Sequence, residues 1–346
     1  MSDDALDIER HDQLLAYLRA TNRIAAAETP QMKTLAGGVS NRTVLVKRSN
    51  GDAWVLKQAL AKLRVKVDWF SDPARVHREA LGLRWLEKLA PPGTITPLVF
   101  EDEQHHLLAM QAVPEPHENW KTMLLRGEVE TDHVKQFARI LAAIHKRSSE
   151  APATLAEVFG DRTFFESLRV EPYYQFTASQ VPEAAPFIEA LVADTRATRT
   201  SIVHGDYSPK NILIRDGRLV LLDHEVIHWG DPAFDIGFAL THVLSKGHHL
   251  SQCRRDFRRA AVDFWVHYEI AAGERWNQTF HDRACRHTLA CLLARAAGRS
   301  PLEYLNNAER DRQKSVVVRM IDDGCWTDHI GAVVAEFLES VARAED

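Results

Sequence analysis

The chain has 346 residues, enough for two domains or one large two-lobed domain with a core in each lobe. Hydrophobic residues make up 45% and charged residues 26%, which is typical of a globular protein and excludes collagen-like, low-complexity and largely disordered chains. The 43 Lys and Arg residues against 48 Asp and Glu give a net charge of −5, which excludes a global positive field for nucleic acid or anionic lipid.

The cysteines and the N-terminal residues indicate in which cellular compartment the protein is expected. The 4 cysteines form no CxxC pair and have no histidine at zinc-finger spacing, so we expect reduced thiols in a cytoplasmic protein. The N-terminus is acidic, and no apolar run approaches the roughly 18 residues that a membrane span needs. We therefore expect neither a secretion signal nor a membrane partner.

The first part of the chain carries mixed helix and strand signals. In chain order they predict helix within 4–24, strands over 43–48 and 53–59, a helix over 72–89, and strands near 97–100 and 106–113. Asn50-Gly51 between two apolar runs is a strong hairpin signal, and Pro91-Pro92-Gly93 ends the helix. Residues 1–113 are therefore predicted to form a small antiparallel sheet with one prominent helix.

Pro114-Glu115-Pro116-His117 is the best candidate linker, because closely spaced prolines favour an extended connection. The remainder is predicted to be mostly helical, with helices beginning at Asp132 and lying near 184–199, 232–246, 250–272, 281–297 and 326–344. One segment there, around 202–225, has the pattern of a sheet. The fold class predicted is α+β, with an N-terminal lobe over 1–113 and a larger, mainly helical C-terminal lobe over 114–346.

That strand-like segment brings several oxygen-bearing side chains together. Asp216-Gly217 is a two-residue hairpin turn, so Asn211 faces Leu222 at the open end of the hairpin. Asn211 and Asp223 then emerge side by side, and Asp206 lies in the loop that leads into the hairpin. Oxygen donors without a thiol or imidazole partner favour Mg²⁺.

His204-Gly205-Asp206 followed by Asn211 resembles the catalytic loop of the protein-kinase-like superfamily. Pro209 and the later run over 230–235 make it similar to the aminoglycoside phosphotransferase and choline kinase group. The resemblance implies that Asp206 is catalytic and accepts or orients the proton of the attacking hydroxyl. It also implies that Asn211, Asp223 and Glu225 bind the metal. Asp235 is implied to bond the backbone or His204 of the catalytic loop. Lys210 has no counterpart in that group and is expected to be solvated.

The N-terminal part supplies further residues that the same resemblance assigns. The loop with Gly37, Gly38, Ser40 and Asn41 resembles a nucleotide loop in which small residues let backbone N–H groups approach phosphate. Lys57 and Glu79 resemble the kinase pair in which the lysine reaches the α- and β-phosphates and the glutamate holds the lysine. The implied cofactors are ATP and Mg²⁺.

A closer similarity is to methylthioribose kinases, through residues 55–60, Arg75 with Glu79, and Asp223-His224-Glu225. Those kinases have two adjacent arginines on a late helix near the substrate, whereas this chain has Arg295 alone. Substrate choice is expected to lie in the helical lobe, at Trp120, Tyr173, Tyr174, His224, Trp229 and Arg295.

The leading hypothesis is an ATP- and Mg²⁺-dependent phosphotransferase that acts on a hydroxyl of a small polar molecule, aminoglycoside-, sugar- or amino-alcohol-like. Methylthioribose kinase is the first alternative, and a catalytically silent nucleotide-binding module on a kinase-like fold is an alternative of another class. Protein phosphorylation is disfavoured because no Asp-Phe-Gly to Ala-Pro-Glu segment follows Asp223. A cationic acceptor would need several carboxylates in its pocket, and we interpret the acidic residues of the last 50 positions, such as Glu303 and Glu309, as solvated. The expected partner is a small-molecule hydroxyl acceptor, and the oligomeric state stays open.

Overall fold

A computed structural model of the chain describes residues 6–35, 40–64, 70–273, 277–327 and 329–345. Its first part contains a five-stranded antiparallel sheet in the order β1-β2-β3-β5-β4. The strands are β1 Gln31–Thr34, β2 Asn41–Lys47, β3 Ala53–Ala59, β4 Leu98–Asp102 and β5 Leu107–Gln111. The hairpin predicted at Asn50-Gly51 is confirmed, and Gly51 adopts a φ of +94° in its turn, where a residue with a Cβ would be strained.

Helices cover both faces of this sheet. They are α1 His11–Ala20 and α2 Arg75–Leu89. Alternate residues of β5 point to opposite faces, as the pleat of a strand requires. Leu107 and Ala109 belong to a small core with Leu14 of α1, whereas Leu108 and Met110 belong to a large core that includes the buried face of α2.

The rest of the chain is mainly helical, as predicted. Its helices are α3 Trp120–Leu125, α4 Thr131–Ser149, α5 Pro152–Phe159, α6 Thr163–Phe165, α7 Phe176–Gln180, α8 Ala185–Ala197, α9 Ala233–His249, α10 Arg254–Ala272, α11 Gln278–Ala297, α12 Asn307–Asp322 and α13 Ile330–Arg343. A π-helical stretch, Glu166–Gln175, joins α6 to α7. Helix α9 is buried along almost its whole length and packs against α10 and α11.

Short strands hold the predicted catalytic segment. They are β6 Glu118–Asn119, β7 Ser201–Val203, β8 Ile212–Arg215, β9 Arg218–Leu221 and β10 His228–Gly230. In the β8–β9 hairpin Arg215 lies opposite Arg218, and both turn residues have positive φ, +49° at Asp216 and +71° at Gly217. The amide of Leu222 bonds the carbonyl of Asn211 at 2.9 Å, so the register predicted from the sequence is confirmed.

Several elements were not predicted, and the expectation of a single sheet segment in the second lobe was wrong. Strand β10 pairs with β7, and β6 pairs with β8. Helix α12 was missed although it begins with a capping box, in which Asn306 and Glu309 each bond the other's backbone N–H. Pro172 interrupts the helical period between α6 and α7, where the helix widens into π turns.

The two predicted lobes are in contact through the same hairpin. The amide of Leu221 bonds the carbonyl of Thr94 at 2.8 Å, and Ile95 forms a parallel bridge with Leu221. The boundary at residue 113 stays a prediction. Within the described ranges, no helix is both long and apolar enough to cross a membrane.

Candidate active site

Lys57 stands between two carboxylates that come from distant parts of the chain. Its Nζ lies 2.6 Å from Oε1 of Glu79 on α2 and 3.1 Å from Oδ1 of Asp223 after β9. Lys57 on β3 reaches the catalytic hairpin because α2 packs between the sheet and the helical part of the chain. The structure therefore brings together three residues that the sequence placed in one nucleotide and metal site.

Burial and charge act in opposite directions on these groups. Burial opposes the charged ammonium of Lys57, but the carboxylates of Asp223 and Glu79 outweigh it and raise the lysine pKa. Burial raises the pKa of Glu79 to about 7, although Lys57 lowers it. For Asp223 the burial cost is outweighed by Lys57 and Lys210, so its pKa lies below the ordinary value. Lys57 and Asp223 are therefore ionised at neutral pH.

Asp206 and Asn211 are held together at the start of the hairpin. The Asn211 Nδ2 donates to the carbonyl oxygen of Asp206 and to its Oδ2, both at 2.9 Å. Both residues are more than nine-tenths buried. Since both amide hydrogens of Asn211 are used, its Oδ1 is the atom left to face a cation.

Two cations that the sequence did not assign to the site face Asp206. Nη2 of Arg169, from the π-helical stretch, lies 3.2 Å from Oδ2 of Asp206, and Nζ of Lys210 lies 3.6 Å from the same oxygen. Burial raises the pKa of Asp206, but Lys210 and Arg169 more than reverse this and hold the pKa below its usual value. Lys210 is half-exposed, in keeping with the expectation of a solvated lysine, but the turn Pro209–Asn211 also directs its side chain back toward Asp206.

The backbone around Asp206 is fixed by Asp235, in the first turn of α9. Its Oδ2 accepts from the amide of His204 at 2.7 Å and its Oδ1 from the amide of Gly205 at 2.9 Å. The predicted bonding role of Asp235 is confirmed. Gly205 has a φ of +78°, and a Cβ at this position would lie 2.8 Å from a methyl group of Val226, so only glycine fits the loop.

Asp223 also has an unusual backbone, with φ at +67°. Left-handed backbone is uncommon for residues with a Cβ and is found preferentially at functional sites, where the surroundings impose it. Beneath it, Nε2 of His204 and Nδ1 of His224 are 3.1 Å apart, and both rings are fully buried. Burial lowers the pKa of both imidazoles, so they are neutral and pack the loop without adding charge.

The predicted nucleotide loop is partly described. Gly37 and Gly38 lie outside the described residues. Asn41 Nδ2 contacts Oγ of Ser40 at 3.1 Å and Oε2 of Glu225 at 3.4 Å. The end of the loop thus reaches the segment that follows the catalytic hairpin.

Glu225 is occupied mainly by a buried arginine. Nε of Arg75 donates to Oε2 of Glu225 at 3.2 Å, and the same guanidinium bonds the carbonyl oxygens of Ser40 and Leu60. Burial and the charge of Asp223 raise the pKa of Glu225. Oε2 of Glu225 is therefore engaged by Arg75, which leaves Oε1 as the oxygen that can bind a cation.

The donors at this site have the chemistry that Mg²⁺ prefers. They are the amide oxygen of Asn211 and carboxylate oxygens of Asp223 and Glu225, with no soft ligand among them. In the described part of the chain, no group of three His, Cys, Asp or Glu side chains is arranged to hold a metal by itself. The residues therefore fit a Mg²⁺ ion that takes its remaining ligands from phosphate and water.

The residues expected to choose the substrate fall into two groups. Trp120, Tyr174 and Trp229 are buried in the large core, and His224 packs under the catalytic loop. Tyr173 and Arg295 are close to each other, with the Arg295 Cζ 5.1 Å from the tyrosine ring centroid. The position of Arg169 and the role of Arg75 were not predicted, because a single arginine in a helix carries no local signal of its distant partner.

Comparison with known proteins agrees with this geometry. Residues 31–288 match the model of a family described as the phosphotransferase enzyme family. A methylthioribose kinase from Pectobacterium atrosepticum is 24% identical over 260 residues, which cover 67% of this chain and 64% of that protein. Another, from Pectobacterium carotovorum, is 24% identical over 241 residues, covering 61% and 58%. The chain thus spans less than two thirds of the length of these curated relatives.

Solved structures share the fold. A choline kinase from Streptococcus pneumoniae superposes with a TM-score of 0.51 at 16% identity and covers 91% of this chain and 99% of its own. A macrolide 2'-phosphotransferase from Brachybacterium faecium gives a TM-score of 0.51 at 18% identity, covering 88% and 97%. The α+β, kinase-like fold predicted from the sequence is confirmed. Because the family model matches well over half of its residues, the chain belongs to the phosphotransferase enzyme family.

Proposed function

We propose that the protein is a small-molecule kinase that transfers the γ-phosphate of ATP, with Mg²⁺, to a hydroxyl of a small polar acceptor. The observation that carries the proposal is the position of Asp206, a buried carboxylate with a lowered pKa that contacts Asn211 at 2.9 Å. An ionised carboxylate in this position can accept a hydrogen bond from an acceptor hydroxyl and orient it for attack. We further propose that it works in the cytoplasm, as its cysteine usage suggests.

The other residues have complementary tasks in this proposal. Lys57, which contacts Glu79 and Asp223, would donate to phosphate oxygens. Asn211 and Asp223 would hold Mg²⁺, with Glu225 contributing its second oxygen. Bound Mg²⁺ would neutralise charge that develops on the transferred group. Asp235 keeps the backbone of the catalytic loop in place, because it accepts from two successive amides.

The test is ADP release from Mg·ATP across a panel of sugars, thiosugars, amino alcohols, hydroxy acids and aminoglycosides. We expect acceptor-dependent release that falls by about 10²-fold or more in Asp206→Ala, while ATP still binds. Asp311→Ala is the matched control, since Asp311 is exposed on α12. Equal turnover in Asp206→Ala and the wild type would contradict the role of Asp206.

The metal role is tested separately by ATP binding with and without Mg²⁺. Asp223→Ala should lose the Mg²⁺-dependent part of the affinity because it removes an oxygen donor and the partner of Lys57. Mg²⁺-supported binding that survives in this variant would show that Asp223 is not a ligand.

A methylthioribose kinase activity is the second candidate, and it is supported by the two curated relatives of that name. Against it, Arg295 is followed by Ala296, so only one of the two arginines expected on the late helix is present. Methylthioribose therefore belongs in the acceptor panel. ATP binding without release from any acceptor would favour the silent nucleotide-binding module instead.

A further inference from the structure

Positively charged side chains extend from Asp206 into the helical part of the chain. We call them the basic cluster, and they are Lys121, Arg169, Lys210, Lys246 and Arg295. Two of them, Arg169 and Lys210, contact the Asp206 carboxylate. The cluster therefore begins where the acceptor hydroxyl would lie and continues away from it.

Two aromatic rings connect its halves. The Arg169 Cζ lies 5.5 Å from the ring centroid of Tyr173 and 5.7 Å from that of Phe238. The Arg295 Cζ lies 5.1 and 5.6 Å from the same two centroids. Both guanidinium groups thus contact the same pair of rings, which connects the outer and inner halves of the cluster.

Among the described residues, the inner half of the cluster, Arg295 and Lys246, makes no direct ion pair with a carboxylate. Arg295 is 8% exposed and bonds the carbonyl and hydroxyl oxygens of Ser300 and the ring of His242, all uncharged acceptors. Lys246 is fully buried, and its Nζ donates to the carbonyl of His242 at 2.9 Å. Buried cations are ordinarily paired with an anion, because an unpaired buried charge is costly.

Polar atoms beside these cations also lack partners. Nε of Arg295 and the hydroxyl of Tyr304 are buried without a hydrogen bond among the described residues. The Lys246 Nζ lies 5.2 Å from the Tyr304 ring centroid. Arg295, Lys246, Lys210 and Lys121 reinforce the effect of burial and lower the pKa of His242 well below its ordinary value. Positively charged side chains therefore outnumber carboxylates around His242.

Carboxylates offset this charge only in part at the inner end. Glu303, which is exposed, is paired with Lys121 at the rim. Glu309 is engaged by the N-terminus of α12 and by His249. An ammonium-bearing acceptor would find Asp206 at the transfer point and repulsion beyond it.

We propose that the acceptor carries an anionic oxygen group, a carboxylate or a phosphate, which binds at Arg295 with Lys246 behind it while a hydroxyl of the same molecule reaches Asp206. The part of this proposal that concerns the hydroxyl rests on the proposed kinase function, whereas the anion-binding part does not depend on it. Lys121 and Lys210 are more exposed than Arg295 and Lys246, and they add longer-range attraction for an anion.

The test uses the full chain and pairs of probes that differ in one anionic group. These are glycerate with glycerol, gluconate with sorbitol, and ribose 5-phosphate with ribose, at constant chloride concentration. We expect an anionic member to raise the melting temperature of the wild type more than its neutral partner does. The carboxylate and phosphate pairs distinguish the two sources of the anion.

Variants separate a bound anion from a general salt effect. Arg295→Gln and Lys246→Met should each raise the half-saturating concentration of the anionic probe by about tenfold or more, since each removes a charged interaction. Lys33→Met, at an exposed position on β1, should respond as the wild type does. The proposal is overturned if no anionic probe distinguishes the wild type from both cluster variants.

ADP release then distinguishes the two proposals. Faster turnover of methylthioribose, ethanolamine or an aminoglycoside than of every anionic acceptor would overturn the anionic acceptor and leave the kinase function standing. An anion response that is lost in the cluster variants, without ADP release from any acceptor, would support the anion site and count against the kinase function.

Discussion

Replacing Lys246 by Met is expected to stabilise the ligand-free protein. Lys246 is fully buried in α9, with Lys121 and Arg295 adding to the cost of its charge and Glu303 offsetting part of it. Methionine has a similar length and no charge, so the substitution removes a buried ammonium without leaving a large cavity.

The magnitude follows from the lysine pKa, which burial lowers from 10.5 to about 7. A difference of this size corresponds to a cost of about 5 kcal/mol for the charged form in the folded protein. The hydrogen bond to the carbonyl of His242 returns about 1 kcal/mol. The net gain for Lys246→Met is therefore about 4 kcal/mol below pH 7.

The stability difference between Lys246→Met and the wild type is expected to fall as the pH rises. Below pH 7 both folded and unfolded chains carry the charged lysine, so the whole cost is present. Between about pH 7 and 10.5 the unfolded chain binds more protons, so the stability of the wild type rises toward that of the variant. By pH 9 the cost of the charge has fallen to about 2 kcal/mol, so after subtraction of the hydrogen bond about 1 kcal/mol, or about a quarter of the net gain, is left.

The assay is calorimetric melting of both ligand-free proteins at pH 6.5, 7.5 and 9, with Lys33→Met as the exposed control. We expect the variant to melt higher by several degrees at pH 6.5 and the difference to shrink with rising pH. Equal melting temperatures at pH 6.5, or a difference that does not change with pH, would refute the reasoning.

Three further outcomes are expected. Lys57→Met should lower stability by about 3–5 kcal/mol because it leaves buried Glu79 unpaired, and adding Glu79→Gln should recover most of it in chemical denaturation, although ATP binding stays lost. Asp235→Asn should lower kcat more than it raises KM in steady-state kinetics, because one amide oxygen replaces the two carboxylate oxygens that hold the catalytic loop; an unchanged kcat would remove this positioning role. Gly237→Ala should cost about 1–3 kcal/mol in thermal unfolding, since its Cβ would lie 2.5 Å from backbone of His287 on α11; a neutral effect would mean that α9 and α11 can separate.

Local signals predicted the elements that depend on neighbouring residues. The Asn50-Gly51 and Asp216-Gly217 turns fixed two hairpins and their registers, because each turn needs residues that tolerate positive φ. The catalytic hairpin was placed correctly for this reason. Helix α12 could also have been predicted, since Asn306 and Glu309 have the spacing of a capping box.

Long-range charge pairs could not be predicted from local signals in the sequence. Arg75 meets Glu225 across 150 positions, and Arg169 approaches the catalytic loop from a π-helical stretch that has no clear period. The same holds for Lys246, whose burial depends on how α9 packs among other helices. Such contacts are set by tertiary packing, so no local pattern predicts that these cations form one cluster.

Helix α9 connects the catalytic loop with the inner end of the basic cluster. Its first turn carries Asp235, which holds the catalytic loop, and its last turns carry Lys246 at the inner end of the basic cluster. At 1.5 Å per residue these positions are about 16 Å apart along the axis. Because the helix is buried along almost its whole length, it holds the backbone positions of Asp235 and Lys246 at a constant separation. The catalytic loop and the inner end of the basic cluster therefore cannot move independently of each other, and a change in the length of α9 would disturb both.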